Sequence, residues 1–589
     1  MTLVSLLTLA SVAAASIVAP RLPTYLSKRE ISINTSDYPA YTIGKLAWSY
    51  VQGLFWRNIP FDHYNASDNR TYSNRYWIND QHYKAGGPVF YFDAGEQNAH
   101  PLVAYFLHEA SGPSSVMTLA RRLSGLAIIF EHRFYGDLDS NSSPFPVDAT
   151  GKAKAGHEAY KYLTTEQSLQ DPVYFAHHFE PPGLERYWSL LNPTYTPWIW
   201  LGGSYPGIRG AHMRVRNPET FFATWASSAP TEAAVDMWTY YAQAERSMTR
   251  NCSADYTHVT NYVDSVLANG THAEVDSLRL ELYTAVQSSP GGKSPSNINK
   301  TEAESLSNVD VAYYLLLPLS FYQYYGFEAS VQSFCDIMET FNQTHVRTTS
   351  NGGTARSLAS DSGIAITYNI TTAWQAFLTG IAEIDYDSVT SPSPADPLQG
   401  WSWMWQYCSE YGYYQRGNPQ NPHTIESKFI SLESFQASCD ATFPGGLPSS
   451  PNVSIPNKYG GWHINPSNIM FSSGEFDPWR ALSPASIERG SPNRTTVQVI
   501  PACNVSPAND TIFGIIYRDM VHVSDMRALL NTSDVNHQNL STVGFSSPIS
   551  TEPFYAGMSL FQGALESWLP CFGNGTYGRD MVSQFPGRL

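Results

Sequence analysis

A chain of 589 residues, 42% apolar and 14% aromatic, is long enough to bury a large core. With 51 acidic against 35 basic residues it carries a net charge of −16, and it lacks the clustered Lys and Arg that phosphate backbones require, which excludes nucleic acid as a partner. No segment after the amino-terminal leader reaches the ~18 uninterrupted apolar residues of a spanning helix, which excludes a membrane as partner.

Leu3 to Val18 is small and apolar, and Ala13-Ala14-Ala15 suits a cleavage site before Ser16, so residues 1–15 read as a secretory signal peptide. Residues 16–44 form a leader or propeptide, in which Lys28-Arg29 is either a processing site or an ordinary exposed basic pair. Glycosylation sequons agree with secretion to the extracellular medium: Asn34, Asn65, Asn69, Asn141, Asn251, Asn269, Asn299, Asn342, Asn369, Asn452, Asn493, Asn504, Asn509, Asn531, Asn539 and Asn574. The 6 cysteines form no Cys-x-x-Cys pair, so disulfides are expected rather than metal or redox chemistry, with the pairing left open.

From 45 to 230 the chain alternates apolar strands with helical lengths. Pro88 to Phe92 and Leu126 to Phe130 read as strands, and Thr165 to Phe179 as a helix capped by Thr165 and interrupted or kinked at Pro172. Pro197 to Leu201 is a strand feeding Gly202-Gly203-Ser204-Tyr205-Pro206-Gly207 and then a helix-compatible stretch, Ile208 to Val215. Strand, glycine turn and helix in that order make a nucleophile elbow, with Ser204 lifted clear of the sheet on strained backbone. The usual second glycine would stand at 206, where this chain has proline. Proline is tolerated in a helix's first turn, and the N–H of Tyr205, the oxyanion donor of such elbows, is retained. Phe221 to Ser227 is a further strand. Apolar strands separated by helices predict a mostly parallel sheet covered on both faces.

Residues 231–440 change texture. Trp238 to Met248, Val259 to Leu267 and Ala312 to Phe321 are helical between Gly/Ser/Asn-rich loops, which predicts a helical cap insertion. Near its end Trp401, Trp403, Trp405, Tyr407, Tyr411, Tyr413 and Tyr414 are either packing between cap and sheet or a wall of the substrate cleft. The sheet pattern resumes over 441–589 with Asn468 to Phe471, which leads to Asp477. Thr495 to Ile500 reads as the last clear strand, followed by a loop of roughly twenty residues to His522. Gly557 to Leu569 suits a terminal amphipathic helix.

A serine needs a base, and the base needs a carboxylate to hold its tautomer. In elbow hydrolases the order along the chain is serine, acid, histidine. Ser204, Asp477 and His522 satisfy it as nucleophile, acid and base, with His537 the rival on order and a turn or cap role the rival for Asp477.

Those motifs resemble the serine peptidases that include lysosomal Pro-X carboxypeptidase, dipeptidyl peptidase two and the secreted fungal prolyl endoproteases. The likeness extends to Phe61-Asp62-His63-Tyr64-Asn65, Asn74-Arg75-Tyr76-Trp77, Gly86-Gly87-Pro88, Glu131-His132-Arg133-Phe134-Tyr135-Gly136, Tyr162 to Gln167, Ser227-Ser228-Ala229-Pro230 and Asp477-Pro478-Trp479. It implies an α/β-hydrolase fold with an inserted helical cap and no cofactor. It also implies peptide or protein substrates, cut on the carboxyl side of proline through an acyl-enzyme. Tyr205 and Gly95 would supply the oxyanion donors, and Ile208 and Trp479 would wall the proline ring. Glu96 would either meet a substrate amine or stand as a solvated loop glutamate. Arg209, where relatives carry an apolar residue, departs from the family. Carboxypeptidase, dipeptidyl-peptidase and endopeptidase action all fit, an esterase or lipase on the same fold is the alternative, and an inactive binding protein would usually have lost one of the three residues.

Overall fold

The structure is a computed structural model that describes residues 51–109, 112–136, 153–154, 156–288, 298–340, 346–348, 354–356, 360–384, 397–418, 420–421, 424–528 and 550–575. The signal peptide and leader, His537, and the sequons at Asn34, Asn141, Asn342, Asn531 and Asn539 lie outside them, as does the side chain of Asn574.

Nine strands form one sheet: β1 (Val51–Pro60), β2 (Thr71–Asn79), β3 (Val89–Asp93), β4 (Leu126–Phe130), β5 (Trp198–Gly203), β6 (Phe221–Ser227), β7 (Ile469–Gly474), β8 (Thr495–Val497) and β9 (Thr511–Tyr517). Their spatial order is β1-β2-β4-β3-β5-β6-β7-β9-β8. The first two junctions are antiparallel and the rest parallel. This is the α/β-hydrolase fold.

The central strands β3 to β6 are largely apolar on both faces because both are covered. Along β3, Val89 and Tyr91 enter one core while Phe90 and Phe92 enter the other, and Trp198 and Trp200 part from Ile199 and Leu201 in the same way. That two-residue alternation follows from the pleat. One face receives helix α2 (Thr165–His177) and the elbow helix α3 (Tyr205–Arg216); the opposite face receives α1 (Ser115–Leu123) and the terminal α6 (Glu552–Trp568). Between β6 and β7 the chain is largely helical, including α4 (Arg250–Asn269) and the short α5 (Tyr322–Gly326).

Three local expectations change. The cap of α2 is Thr164, whose side chain accepts from Gln167 N, while Thr165 is inside the helix with its hydroxyl on Glu410. Pro172 sits inside α2 without ending it. The expected long loop before His522 is divided by β9, a seven-residue strand paired with β7, so His522 follows that strand by a short turn rather than ending one long loop.

The cysteines pair as Cys252–Cys335, Cys408–Cys439 and Cys503–Cys571, two bridges within the inserted segment and one joining the end of α6 to the β8–β9 connection. Asn65, Asn69, Asn269, Asn299, Asn369, Asn452, Asn493, Asn504 and Asn509 are exposed. Asn251 is the correction among the sequons: it is 6% exposed in the first turn of α4 and hydrogen-bonds Cys252 N, which leaves a glycan no room.

Candidate active site

Ser204 joins β5 to α3 with φ 65° and ψ −130°, a left-handed backbone that costs a non-glycine residue about 1–3 kcal/mol unless the surroundings impose it. They do so at both ends. Ser204 N donates to Ser227 O at 2.9 Å, and Ile208 N donates to Ser204 O at 3.0 Å as the helix begins. Pro206 occupies the first turn of α3, where no intrahelical partner is lost, and its carbonyl accepts Trp200 Nε1 at 2.9 Å. The flanking glycines are required by contact. A Cβ on Gly202 would stand 2.6 Å from the Pro206 carbonyl, and one on Gly203 would stand 2.4 Å from Val523 Cγ1. Gly203 therefore lets the serine turn abut the segment that follows His522.

Asp477 lies three residues past β7 and is fully buried. Its Oδ1 accepts from Trp479 N at 2.9 Å and stands 2.9 Å from His522 Nδ1; its Oδ2 accepts Ser473 Oγ at 3.1 Å. The cap role and the histidine contact are thus both real, served by one carboxylate. His522 is 3% exposed, and its Nε2 has no hydrogen-bond partner among the described residues. With Nδ1–H given to the carboxylate, Nε2 carries the ring's lone pair, and Ser204 Oγ makes no hydrogen bond to it.

The turn after His522 is fastened from below. Val523 has φ 48°, and its N–H donates to Ser228 Oγ at 2.8 Å. Asp525 accepts Ser227 Oγ on one oxygen and Ser472 Oγ on the other, each at 2.5 Å, and burial raises its carboxyl above the usual range. Sequence reasoning gave Ser227, Ser228 and Asp525 no role; two serines at a strand end followed by an acid three residues past the histidine was the available signal.

Beyond β3, Gly95 takes φ 64° and lies so close to the elbow that a Cβ there would stand 2.2 Å from Pro206 Cγ. Gly95 N makes a long 3.3 Å bond to Asp93 Oδ1. Arg209, the departure on α3, is buried and points away from solvent. Its Nη1 is 2.7 Å from both Asp93 oxygens and its Nη2 donates to Ser168 O at 2.7 Å. Burial raises Asp93 to about 6 against the opposing pull of Arg209. Glu96 is 2% exposed, so it is no solvated loop residue; burial raises it to about 8, and its Oε2 has no hydrogen-bond partner among the described residues.

The aromatic patch is packing between the inserted segment and the sheet, and one of its members reaches Trp479. Trp401, Trp403, Trp405 and Tyr407 are buried in the core, while Tyr413 meets Trp479 edge to face at 5.1 Å between centroids. Trp479 also meets Tyr240 at 5.5 Å and lies 6.3 Å from the His522 ring. Trp403 and Tyr411 pack on Tyr205, whose hydroxyl receives Gln406 Nε2 at 2.7 Å and stands 3.1 Å from His132 Nε2. Ile208 is buried on α3 in the same core.

A strained serine between strand and helix, with a carboxylate-bound histidine on a following loop, belongs to serine-type hydrolases on the α/β-hydrolase fold. The model of the family described as serine carboxypeptidase S28 matches residues 59–501, and the chain belongs to that family of serine peptidases. It is 27% identical over 495 residues to a protein of Arthroderma benhamiae named "Probable extracellular serine carboxypeptidase", covering 81% of this chain and 64% of that one. Serine protease vicPb of Bipolaris victoriae is 25% identical over 76% of this chain and 81% of its own length. The human thymus-specific serine protease is 27% identical over 73% of this chain and 76% of its own. Among solved structures, a proline iminopeptidase from Mycobacterium smegmatis aligns with 80% of this chain and 91% of its own at 11% identity and a TM-score of 0.27.

Proposed function

We propose that this serine peptidase hydrolyses peptide bonds on the carboxyl side of proline, with Ser204 as nucleophile, His522 as base and Asp477 as the acid that orients it. The observation that carries the reading is the 2.9 Å contact between His522 Nδ1 and Asp477 Oδ1 with Nε2 left unpartnered among the described residues.

Ser204 Oγ attacks the carbonyl as its proton passes to His522 Nε2, and the imidazolium is stabilised by Asp477. The oxyanion receives the N–H of Tyr205, free as one of the first in α3, and that of Gly95, whose weak bond to Asp93 a full negative charge outcompetes. The imidazolium then protonates the leaving amine, and water attacks the acyl-enzyme by the reverse proton path. Trp479 and Ile208 form the wall for a proline ring. The buried Glu96, whose Oε2 has no hydrogen-bond partner among the described residues, is a docking point for a substrate amine: a cation would draw its carboxyl down from about 8 and ionise it. Residues 231–440 act as the cap over this site. Secretion accords with three disulfides, with the name of the fungal relative, and with the absence, among the described residues, of any helix long and apolar enough to cross a membrane.

Mass spectrometry of products from proline-containing peptides, with amino end, carboxyl end or neither blocked, tests the reading. Cleavage after proline that needs a free carboxyl end identifies a carboxypeptidase, and one that needs a free amine identifies a dipeptidyl peptidase. Cutting between blocked ends identifies an endopeptidase. Indifference to proline with rapid hydrolysis of acyl esters would refute the peptide specificity in favour of an esterase.

A further inference from the structure

The short helix α5 in the inserted segment grips both loops that bring Asp477 and His522 together. Tyr322 Oη donates to Phe476 O at 3.0 Å, one residue before the acid. The backbone oxygen of Gln323 accepts from His522 N at 3.3 Å. A Cβ on Gly326 would come within 3.3 Å of Val521 Cγ1, one residue before the histidine. The side chain of Gln323 does something else. Its Oε1 accepts from Trp479 Nε1 at 2.8 Å and from Tyr240 Oη at 2.7 Å.

An indole N–H can only donate, so the carboxamide must turn its oxygen toward Trp479. Both lone pairs of that oxygen are then filled, one by Trp479 and one by Tyr240, and Gln323 is 3% exposed. An indole whose N–H is satisfied in the interior pays about 1–3 kcal/mol if the acceptor is removed, enough to favour a different ring position. Tyr240 and Tyr413 meet the ring edge to face, and the bond to Gln323 Oε1 is the hydrogen bond that fixes the direction of its N–H.

We propose that Gln323 is a positioning residue that fixes the Trp479 indole and thereby sets which substrate side chain is accepted next to the scissile bond. This rests on the reading of Ser204, Asp477 and His522 given above and adds the residue of the cap that tunes their selectivity. Because the contact to His522 uses the backbone of residue 323, side-chain substitution separates selectivity from chemistry.

The test uses the full chain with Gln323→Leu, Gln323→Glu and Trp479→Phe, alone and combined, on peptides that differ only in proline, alanine or leucine before the cleaved bond. Labelling of Ser204 by a small fluorophosphonate reports the nucleophile independently. Gln323→Leu should reduce the proline-to-alanine ratio of kcat/KM about tenfold, mainly through KM, while labelling slows by no more than about threefold. Gln323→Glu, which keeps an acceptor, should recover most of the ratio. In a Trp479→Phe background, which has no indole N–H, Gln323→Leu should change the ratio less than about twofold. An unmoved ratio in Gln323→Leu, an undiminished effect in the Trp479→Phe background, or labelling that falls as far as peptide turnover would each overturn the proposal. Should Gln323→Leu fail to accumulate folded, Gln323→Met, similar in length and a poor acceptor, takes its place. Absence of labelling in the unaltered chain would overturn the proposed function and this inference with it; labelling with an unmoved ratio overturns this inference alone.

Discussion

His522 Nδ1 and Asp477 Oδ1 stand 2.9 Å apart in a pocket that leaves both side chains almost wholly buried. The carboxylate is held from two further sides, by Trp479 N and Ser473 Oγ, so it selects the tautomer with the proton on Nδ1. Asp477→Asn should preserve the fold and these distances but let the amide donate, which reverses the tautomer. We expect kcat to fall about 10⁴-fold with the unfolding midpoint little changed. Steady-state kinetics with a thermal melt on the same sample decides it, and activity within tenfold of the parent would remove Asp477 from the mechanism. His522→Ala should abolish turnover and His537→Ala should leave it, the reverse pattern exchanging the two assignments.

The approach of Gly203 to Val523 makes a second prediction. Gly203→Ala puts a methyl 2.4 Å from Val523 Cγ1, and a β-branched side chain on left-handed backbone has little room to retreat. Overpacking of this kind costs about 1–3 kcal/mol, and the strain falls on the residue beside His522. The variant should lose stability and kcat together. Adding Val523→Ala should return part of both, with a coupling of about 0.5–3 kcal/mol in a double-mutant cycle. Strict additivity in urea denaturation would show that the two residues do not press on each other.

Much of this arrangement was legible because its elements are local. The elbow announces itself in six consecutive residues, and the strands leading to Ser204 and Asp477 are continuous apolar runs, as a sheet buried on both faces requires. β9 was misread because Thr511 to Tyr517 follows a Pro/Asn-rich stretch and carries Gly514 in its middle, which looks like loop. That glycine packs against the Phe471 backbone, where a Cβ would stand 1.7 Å from its carbonyl oxygen. The partnership of Arg209 with Asp93 joins residues 116 positions apart, and the grip of Gln323 on Trp479 spans 156. No periodicity within one element encodes such pairs. Asn251 shows the converse, a sequence motif intact in a place the fold makes inaccessible.

Glu96 and Asp93 give stability a pH dependence with a definite sign. Burial raises Glu96 from 4.5 to about 8 and Asp93 from 3.8 to about 6. Well below the unfolded values both groups are protonated in folded and unfolded chain alike, and stability is not reduced by them. As pH rises from there, the unfolded chain releases protons that the folded chain retains. Stability then falls, by at most about 1.4 kcal/mol per group per pH unit, until the folded pKa values are passed. Glu96→Gln should therefore flatten the decline between pH 5 and pH 8 in urea midpoints. It should also raise KM for peptides with a free amine more than for amine-blocked ones. A slope unchanged by the substitution would show that Glu96 is ionised in the folded protein.

Arg209 and Asp93 form a buried pair that links the elbow helix to the end of β3. Taking away one partner of such a pair typically costs about 3–5 kcal/mol, because the other charge is left without compensation. Arg209→Met should lower the urea midpoint strongly. The double variant Arg209→Met, Asp93→Leu removes both charges and should recover much of that loss, since an apolar replacement of similar volume is often neutral. Catalysis should not recover with it. Asp93 also accepts Gly95 N, and without that anchor the loop resting on Pro206 loses its register against Ser204. Loss of one well-placed oxyanion donor costs about 10²–10³ in rate, so the double variant should be stable yet slow. Fluorophosphonate labelling measured beside the denaturation curve separates the two effects; recovery of both together would make the pair purely structural and leave the oxyanion loop independent of it.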